Sequence, residues 1–227
     1  MSISVEIQLI LLAWGTFVGL DLVSVPQMMI ARPIVAGPIA GMILGDVATG
    51  LQLGVLFELF QYDILPVGAV RYPEYGPATI AAVSAAHAAT GTLGLGLGAL
   101  VGLITAMAGG GSLLAVRRLN TRAVHRAAAA LETGDPRVLE RLHVAGILRD
   151  AARAALVTAV GLALAQLARG SLVGTVSLRS VVLLNVAAVG AALAAGMSGT
   201  FRLVGRGPGL RWFAAGLVGG AAVAWLQ

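Results

Sequence analysis

Long runs of this sequence contain no charged side chain, and that restricts the folds open to it. From Ala78 to Val116 the only ionisable residue is His87. Over the whole chain 58% of residues are hydrophobic and 11% are charged, where soluble domains carry about a quarter charged residues. A mean hydropathy of +0.92 cannot come from one buried helix in a water-soluble core. In lipid a helix satisfies its own backbone polar groups, so such a chain reads as an all-α, polytopic membrane protein. There is no cysteine, which excludes disulfides and thiol chemistry.

One stretch breaks the apolar pattern. Arg32 to Gly76 holds Arg32, Asp46, Glu58, Asp63, Arg71 and Glu74, with Pro33, Pro38, Pro66 and Pro73 among them. Pro26 and Pro77 flank it. Ionisable residues at membrane depth are expensive and by default mark a functional site. Ile34–Leu44 and Val47–Phe60 are each too short to span alone. Gly37, Gly41 and Gly45 repeat every fourth residue, as do Gly50 and Gly54. That spacing lets helices approach closely. The two segments predict a re-entrant pair or two half-helices turning near Gly45-Asp46. Broken helices of this kind are how many transporters build a site near the midplane.

The rest of the chain supplies spans and a basic segment. Met1 to Leu12 has no Lys or Arg and no small-residue cleavage site, so it predicts the start of a membrane helix, Ile3–Leu20, rather than a secretory signal. Ala78–Val116 predicts two helices broken at Thr90-Gly91-Thr92, the second ending at Gly109-Gly110-Gly111. Arg117 to Arg153 alternates arginines with apolar residues and is broken at Gly134-Asp135-Pro136. It predicts two basic amphipathic helices able to lie on the membrane surface. Ala154–Ala168, Ser180–Met197 and Trp212–Leu226 predict the remaining spans. The organisation expected is 1–115, a membrane region holding the candidate site; 116–153, a basic cytoplasmic segment; and 154–227, C-terminal membrane helices.

All fifteen Lys+Arg positions are arginine, and eight of them fall in residues 115–153. A pI near 11.0 suits nucleic acid, yet a positive-inside bias accounts for the same charges. Residues 117–153 and 202–211 are therefore expected to face the cytoplasm. Ala129→Cys and Gly207→Cys, made singly, should resist an impermeant thiol reagent applied to intact cells. Rapid labelling at either position would reverse the orientation.

Glu58 and Gln61 stand three apart and share a helical face. A carboxylate beside an amide suits sugar hydroxyls; the alternative is a helix-end glutamate open to water. Asp46 suits either an N-cap for the following helix or a substrate contact. Arg32 next to Pro33 suits a positioning or snorkelling role, with Asp21 or Asp46 as an ion-pair partner. Asp63, Arg71 and Glu74 suit a solvated loop or a gate. Arg149 and Arg153 suit snorkelling. His87 reads as a packed core residue, His125 and His143 as surface residues, and Asn185 as a link between helices. Three scattered histidines do not make a metal site. No nucleophile–base spacing and no phosphate-cradling glycine loop is present, so a membrane-embedded enzyme is the weaker class, and no cofactor is called for.

Arg32-Pro33, Leu44-Gly45-Asp46, Thr49-Gly50, Gly54 and Glu58, followed by Ile64-Leu65-Pro66-Val67-Gly68-Ala69, resemble the mannose/sorbose-type IIC component of the bacterial phosphotransferase system in order and spacing. The cytoplasmic segment is similar too, with His125 before an alanine-rich helix and Leu142-His143-Val144 after the break. The resemblance covers roughly residues 5–215. It implies a permease subunit in the bacterial cytoplasmic (inner) membrane that binds a hexose-like sugar and moves it inward. It implies a IID membrane subunit alongside, and cytoplasmic IIA and IIB components that carry phosphate on histidine. IIC is not itself phosphorylated, so no histidine here takes that role. The family's sugar site maps to Glu58; together with the residue readings above, Glu58, Gln61, Asp46 and Arg32 are the candidate substrate contacts. The segment Val70–Tyr75 is more charged and aromatic than the family's usual version, and family members usually continue past the position of Gln227. The alternative reading is a transport-inactive membrane subunit with a regulatory or scaffolding role.

Overall fold

A computed structural model describes residues 3–62, 64, 70–87, 92–172, 175, 177–204, 211, 215 and 218. Asp63, the Thr90-Gly91 break, the Arg202 and Arg206 side chains and most of the expected Trp212–Leu226 helix lie outside the described residues. The described chain is helical: α1 (Val5–Asp21), α2 (Pro33–Leu44), α3 (Val47–Gln61), α4 (Tyr75–Ala86), α5 (Thr92–Arg126), α6 (Ala128–Glu132), α7 (Pro136–Leu172) and α8 (Leu178–Val204). Three of these, α5, α7 and α8, contain stretches long and apolar enough to cross a membrane.

α2 and α3 form the expected broken pair. At 1.5 Å per residue they run about 18 and 22 Å, short of a hydrocarbon core about 30 Å thick. Pro33 opens α2 at its first turn, where no backbone donor is missed. Gly45 ends it in the left-handed conformation, φ 76°, which glycine adopts without a Cβ clash. Asp46 then caps α3, accepting from the Thr49 N–H at 3.1 Å. The two helices fold back at backbone contact. A Cβ on Gly41 would lie 2.5 Å from the Asp46 carbonyl oxygen and 3.1 Å from the Gly50 Cα. Gly37 meets Gly50 and Gly54 in the same way. Gly45 has no such neighbour; its part in the ladder is the turn.

α4 is the centre of the molecule. Every residue from Tyr75 to Ala86 is buried, as suits a helix apolar on all sides. It packs against α1, α2, α3, α5 and α7. Its first turn holds the end of α3 through rings: Phe57 and Phe60 lie 5.8 and 6.1 Å from Tyr75. α1 lies on α7 with Gly15 against Thr158 and Gly19 against Ala154. α8 covers α3 and α5, placing Asn185 against Gly96 and Leu59 against Gly196.

Two sequence expectations are corrected here. α5 does not end at Gly109-Gly110-Gly111; it continues to Arg126. Those glycines admit another segment instead. A Cβ on Gly109 would meet the Glu74 carboxylate at 2.7 Å, and Gly110 lies against the Tyr72 carbonyl. The basic segment is also not a pair of helices separate from the apolar spans. Its first part is the end of α5, followed by the short α6, and after the Gly134 turn (φ 74°) its second part is the start of α7. Helical hydrogen bonding carries across the change from arginine-rich to apolar sequence, because nothing there breaks it.

Candidate functional site

The candidate residues sit on two half-helices and one loop. Glu58 lies on α3 one position past Phe57, whose ring is fully buried, so the core contact of Phe57 orients its neighbour toward α2. There the Glu58 carboxylate forms an ion pair with Arg32. Its second oxygen accepts the Ile34 N–H at 3.2 Å. Arg32 is the N-cap residue of α2 and its side chain makes no cap bond. Glu58 therefore does the capping from the neighbouring helix: it neutralises the arginine and satisfies a free amide at a positive helix end. Arg32 pairs with neither Asp21 nor Asp46. The pair is partly open, with side-chain exposures of 45% for Arg32 and 16% for Glu58.

Beside this pair is a cavity of about 340 Å³. Asp21, Leu22, Gln27, Met29, Ala31, Arg32, Gln61, Tyr62 and Ile64 line it. Arg32 and Gln61 are thus brought to one place, with Glu58 at its margin. Asp46 is not; it stands at the opposite end of α3, about 18 Å along the helix axis from Glu58.

Asp21 enters the sequence reading only as a partner for Arg32 and not as a candidate contact of the site. It is 3% exposed, and its two oxygens accept the Met28 and Ala31 amides at 2.6 and 2.9 Å. These bonds hold the loop from Leu22 to Arg32, in which Gln27 and Met29 adopt left-handed φ values of 59° and 63°. Such conformations cost non-glycine residues on the order of 1–3 kcal/mol each. Two amide bonds to a carboxylate offset that cost. The signal in the sequence was an acid directly after an apolar run and ahead of a proline-containing loop.

A second cluster lies deeper. Glu74 is fully buried and Arg153 is 5% exposed, so neither is a solvated loop residue nor a snorkelling one. Arg153 donates to both Glu74 oxygens, to the Asp150 carboxylate at 2.7 Å and to the Gly19 carbonyl at 3.2 Å. Ser24 donates to the other Asp150 oxygen at 2.5 Å. The Glu74 amide donates to the Ala106 carbonyl at 2.9 Å. This network joins α1, the loop after it, the entry to α4, α5 and α7. Arg149 donates to Asn120 at 2.9 Å, across the α5–α7 pair. Among the described residues no three metal-ligating side chains converge.

The family model for the PTS system sorbose-specific IIC component matches residues 6–224. The chain belongs to this family. This IIC chain is a membrane component of the sorbose/mannose type. It is 30% identical over 129 residues to the fructose permease IIC component of Bacillus subtilis (strain 168), covering 57% of this chain and 47% of that protein. It is 32% identical over 116 residues to the sorbose-specific EIIC component of Klebsiella pneumoniae, covering 51% and 43%. It is 27% identical over 125 residues to the mannose-specific EIIC component of Escherichia coli (strain K12), covering 55% and 46%. The matched region thus spans a little under half the length of these relatives. Two solved structures share the fold at 21% identity, each matched over 97% of this chain and 88% of theirs. One is described only as a membrane protein, TM-score 0.76. The other is the mannose transporter ManYZ in complex with microcin E492, TM-score 0.58.

Proposed function

We propose that this IIC chain is the sugar-translocating membrane subunit of a phosphotransferase uptake system in the bacterial cytoplasmic membrane. It binds a hexose-like sugar and passes it inward beside a IID-type subunit, for phosphorylation by IIA and IIB components. The names of its relatives support the substrate class, since fructose, sorbose and mannose are all hexoses. The observation that carries the reading is the cavity at the junction of the 22–32 loop and the end of α3. A sugar needs donors and acceptors in alternation around an apolar ring face. Arg32 supplies donors, Gln27 and Gln61 supply both kinds, and Tyr62 supplies a ring and a hydroxyl. Pockets of this size suit small polar ligands when a few polar groups converge. In this reading Glu58 aims Arg32 and holds the mouth of the site, Gln61 meets the sugar directly, and Asp46 maintains the hairpin from its far end.

The test is equilibrium binding of labelled mannose, fructose and sorbose to the purified chain, reconstituted with its IID partner. Glu58→Gln removes the charge that holds Arg32. A hydrogen bond to a charged group is worth roughly 1.5–3 kcal/mol, so affinity should fall about tenfold or more. Gln61→Ala should cost between about twofold and tenfold, the worth of a neutral bond. Asp46→Ala should lower stability by about 1 kcal/mol through the lost cap and leave affinity unchanged. Parent-like binding by a folded Glu58→Gln variant would remove the site. A parent that binds no hexose beside its partner would favour the non-transporting reading.

A further inference from the structure

α5 carries an apolar track that ends in arginines. At about 100° per residue, Leu100, Ile104, Met107, Gly111 and Leu114 fall on one stripe. Arg118, Arg122 and His125 continue that stripe along the same helix. Leu100, Ile104 and Met107 are exposed, and so are Arg118, Arg122 and His125. From Leu100 to Leu114 the track runs about 21 Å, longer than one leaflet of a hydrocarbon core about 30 Å thick.

At its head is an open depression of about 580 Å³ lined by Leu114, Arg117, Arg118, Thr121 and Arg122. Arg117 is committed elsewhere: it donates to the Tyr72 hydroxyl at 2.8 Å and to the Val70 carbonyl at 3.3 Å. Its guanidinium also sits 5.3 Å from the Tyr72 ring centre. Arg118 and Arg122 take part in no ion pair among the described residues. Spaced four apart on one face, they repel each other. An anion between them removes that repulsion. A free phosphate would use the two guanidinium groups and leave the apolar track idle, whereas a phospholipid uses both.

We propose that this face of α5 is a binding site for an anionic phospholipid. Its phosphate lies between Arg118 and Arg122, within reach of Thr121. Its acyl chain runs down Leu114, Met107 and Ile104 toward Leu100. Two cationic contacts near a membrane surface, at about 1 kcal/mol each, correspond to a preference of about thirtyfold for the anionic lipid.

The chain is exchanged into mixed micelles of phosphatidylglycerol and phosphatidylcholine, and retained lipids are counted by native mass spectrometry. The parent is expected to retain phosphatidylglycerol selectively, and Arg118→Gln/Arg122→Gln to lose that selectivity by about thirtyfold. Arg137→Gln/Arg141→Gln removes the same charge beyond the Gly134 turn and should keep it. Equal retention of the two lipids by the parent would overturn the site. So would an equal loss in both double variants, which would mean that only total charge acts. Displacement of the lipid by millimolar inorganic phosphate would reassign the site to a free anion. Unchanged lipid retention in Arg118→Gln/Arg122→Gln, with lost binding of a IIB-type protein, would reassign this face to a protein partner. Thermal unfolding in lipid-free detergent checks that all variants fold.

Discussion

Arg153→Ala is expected to destabilise the folded chain by about 3–5 kcal/mol, the usual cost of removing one partner from a buried ion pair. Arg153 is the one cation between Glu74 and Asp150 in the network. Without it, two buried carboxylates face each other, and the Gly19 carbonyl loses its donor. Glu74→Gln should be much milder. It leaves Arg153 paired with Asp150 alone, one charge of each sign, and the amide still fits the fully buried position. Arg153→Met combined with Glu74→Gln should recover part of the loss, since no guanidinium is then missed by Glu74. Detergent-solubilised variants are heated and scored by monodisperse elution. Arg153→Ala surviving like the parent would mean that the network adds nothing to stability. Arg153→Ala and Glu74→Gln failing alike would mean that the Glu74 charge matters as much as the arginine, since the glutamine keeps the volume and loses only the charge.

Gly41→Leu is expected to cost about 3 kcal/mol or more, at the upper end for overpacking. The atoms that crowd a Cβ at this position are all backbone: the Asp46 carbonyl oxygen at 2.5 Å, the Val47 Cα at 3.0 Å and the Gly50 Cα at 3.1 Å. A side-chain neighbour can change rotamer; a backbone neighbour moves only if α2 and α3 part. Arg32 and Glu58 reach each other across the same two helices, so parting them also opens the candidate sugar site. Met42→Leu, at a neighbouring position that is 58% exposed, is the matched control and should behave like the parent. Thermal stability and hexose binding should therefore fall together in Gly41→Leu and in neither respect in Met42→Leu. A Gly41→Leu protein of normal stability would show that the hairpin is loosely packed.

The α2–α3 hairpin was legible because its signals are local. A proline in the first turn, a glycine after the last residue and an aspartate three before Thr49 each act within one turn of chain. The same holds for the turn at Gly134 and Asp135, where the Asp135 side chain accepts the Arg137 amide at 2.9 Å. Glu58 and Gln61 were legible as a pair from their three-residue spacing, and Arg32 and Glu58 through the resemblance to a IIC component, though the partner of Arg32 was not.

What failed were the inferences about which charges find partners distant in sequence. Glu74 reads as a loop acid beside prolines, and Arg153 as the flank of an apolar helix. They are 79 residues apart, and no periodicity connects them. The glycines at 109–111 carry two meanings, helix end or close approach, and only the segment from Tyr72 to Glu74 lying against them selects the second. The sequence by itself determined the membrane class, the helical content, the half-length of α2 and α3 and the family, because apolar length, capping and turn chemistry act over a few residues. The tertiary structure alone decided which charges are buried, which are paired and which polar groups face one cavity. Those outcomes depend on how α1, α4, α5 and α7 pack, and a charge's cost is set by the neighbours that packing brings to it.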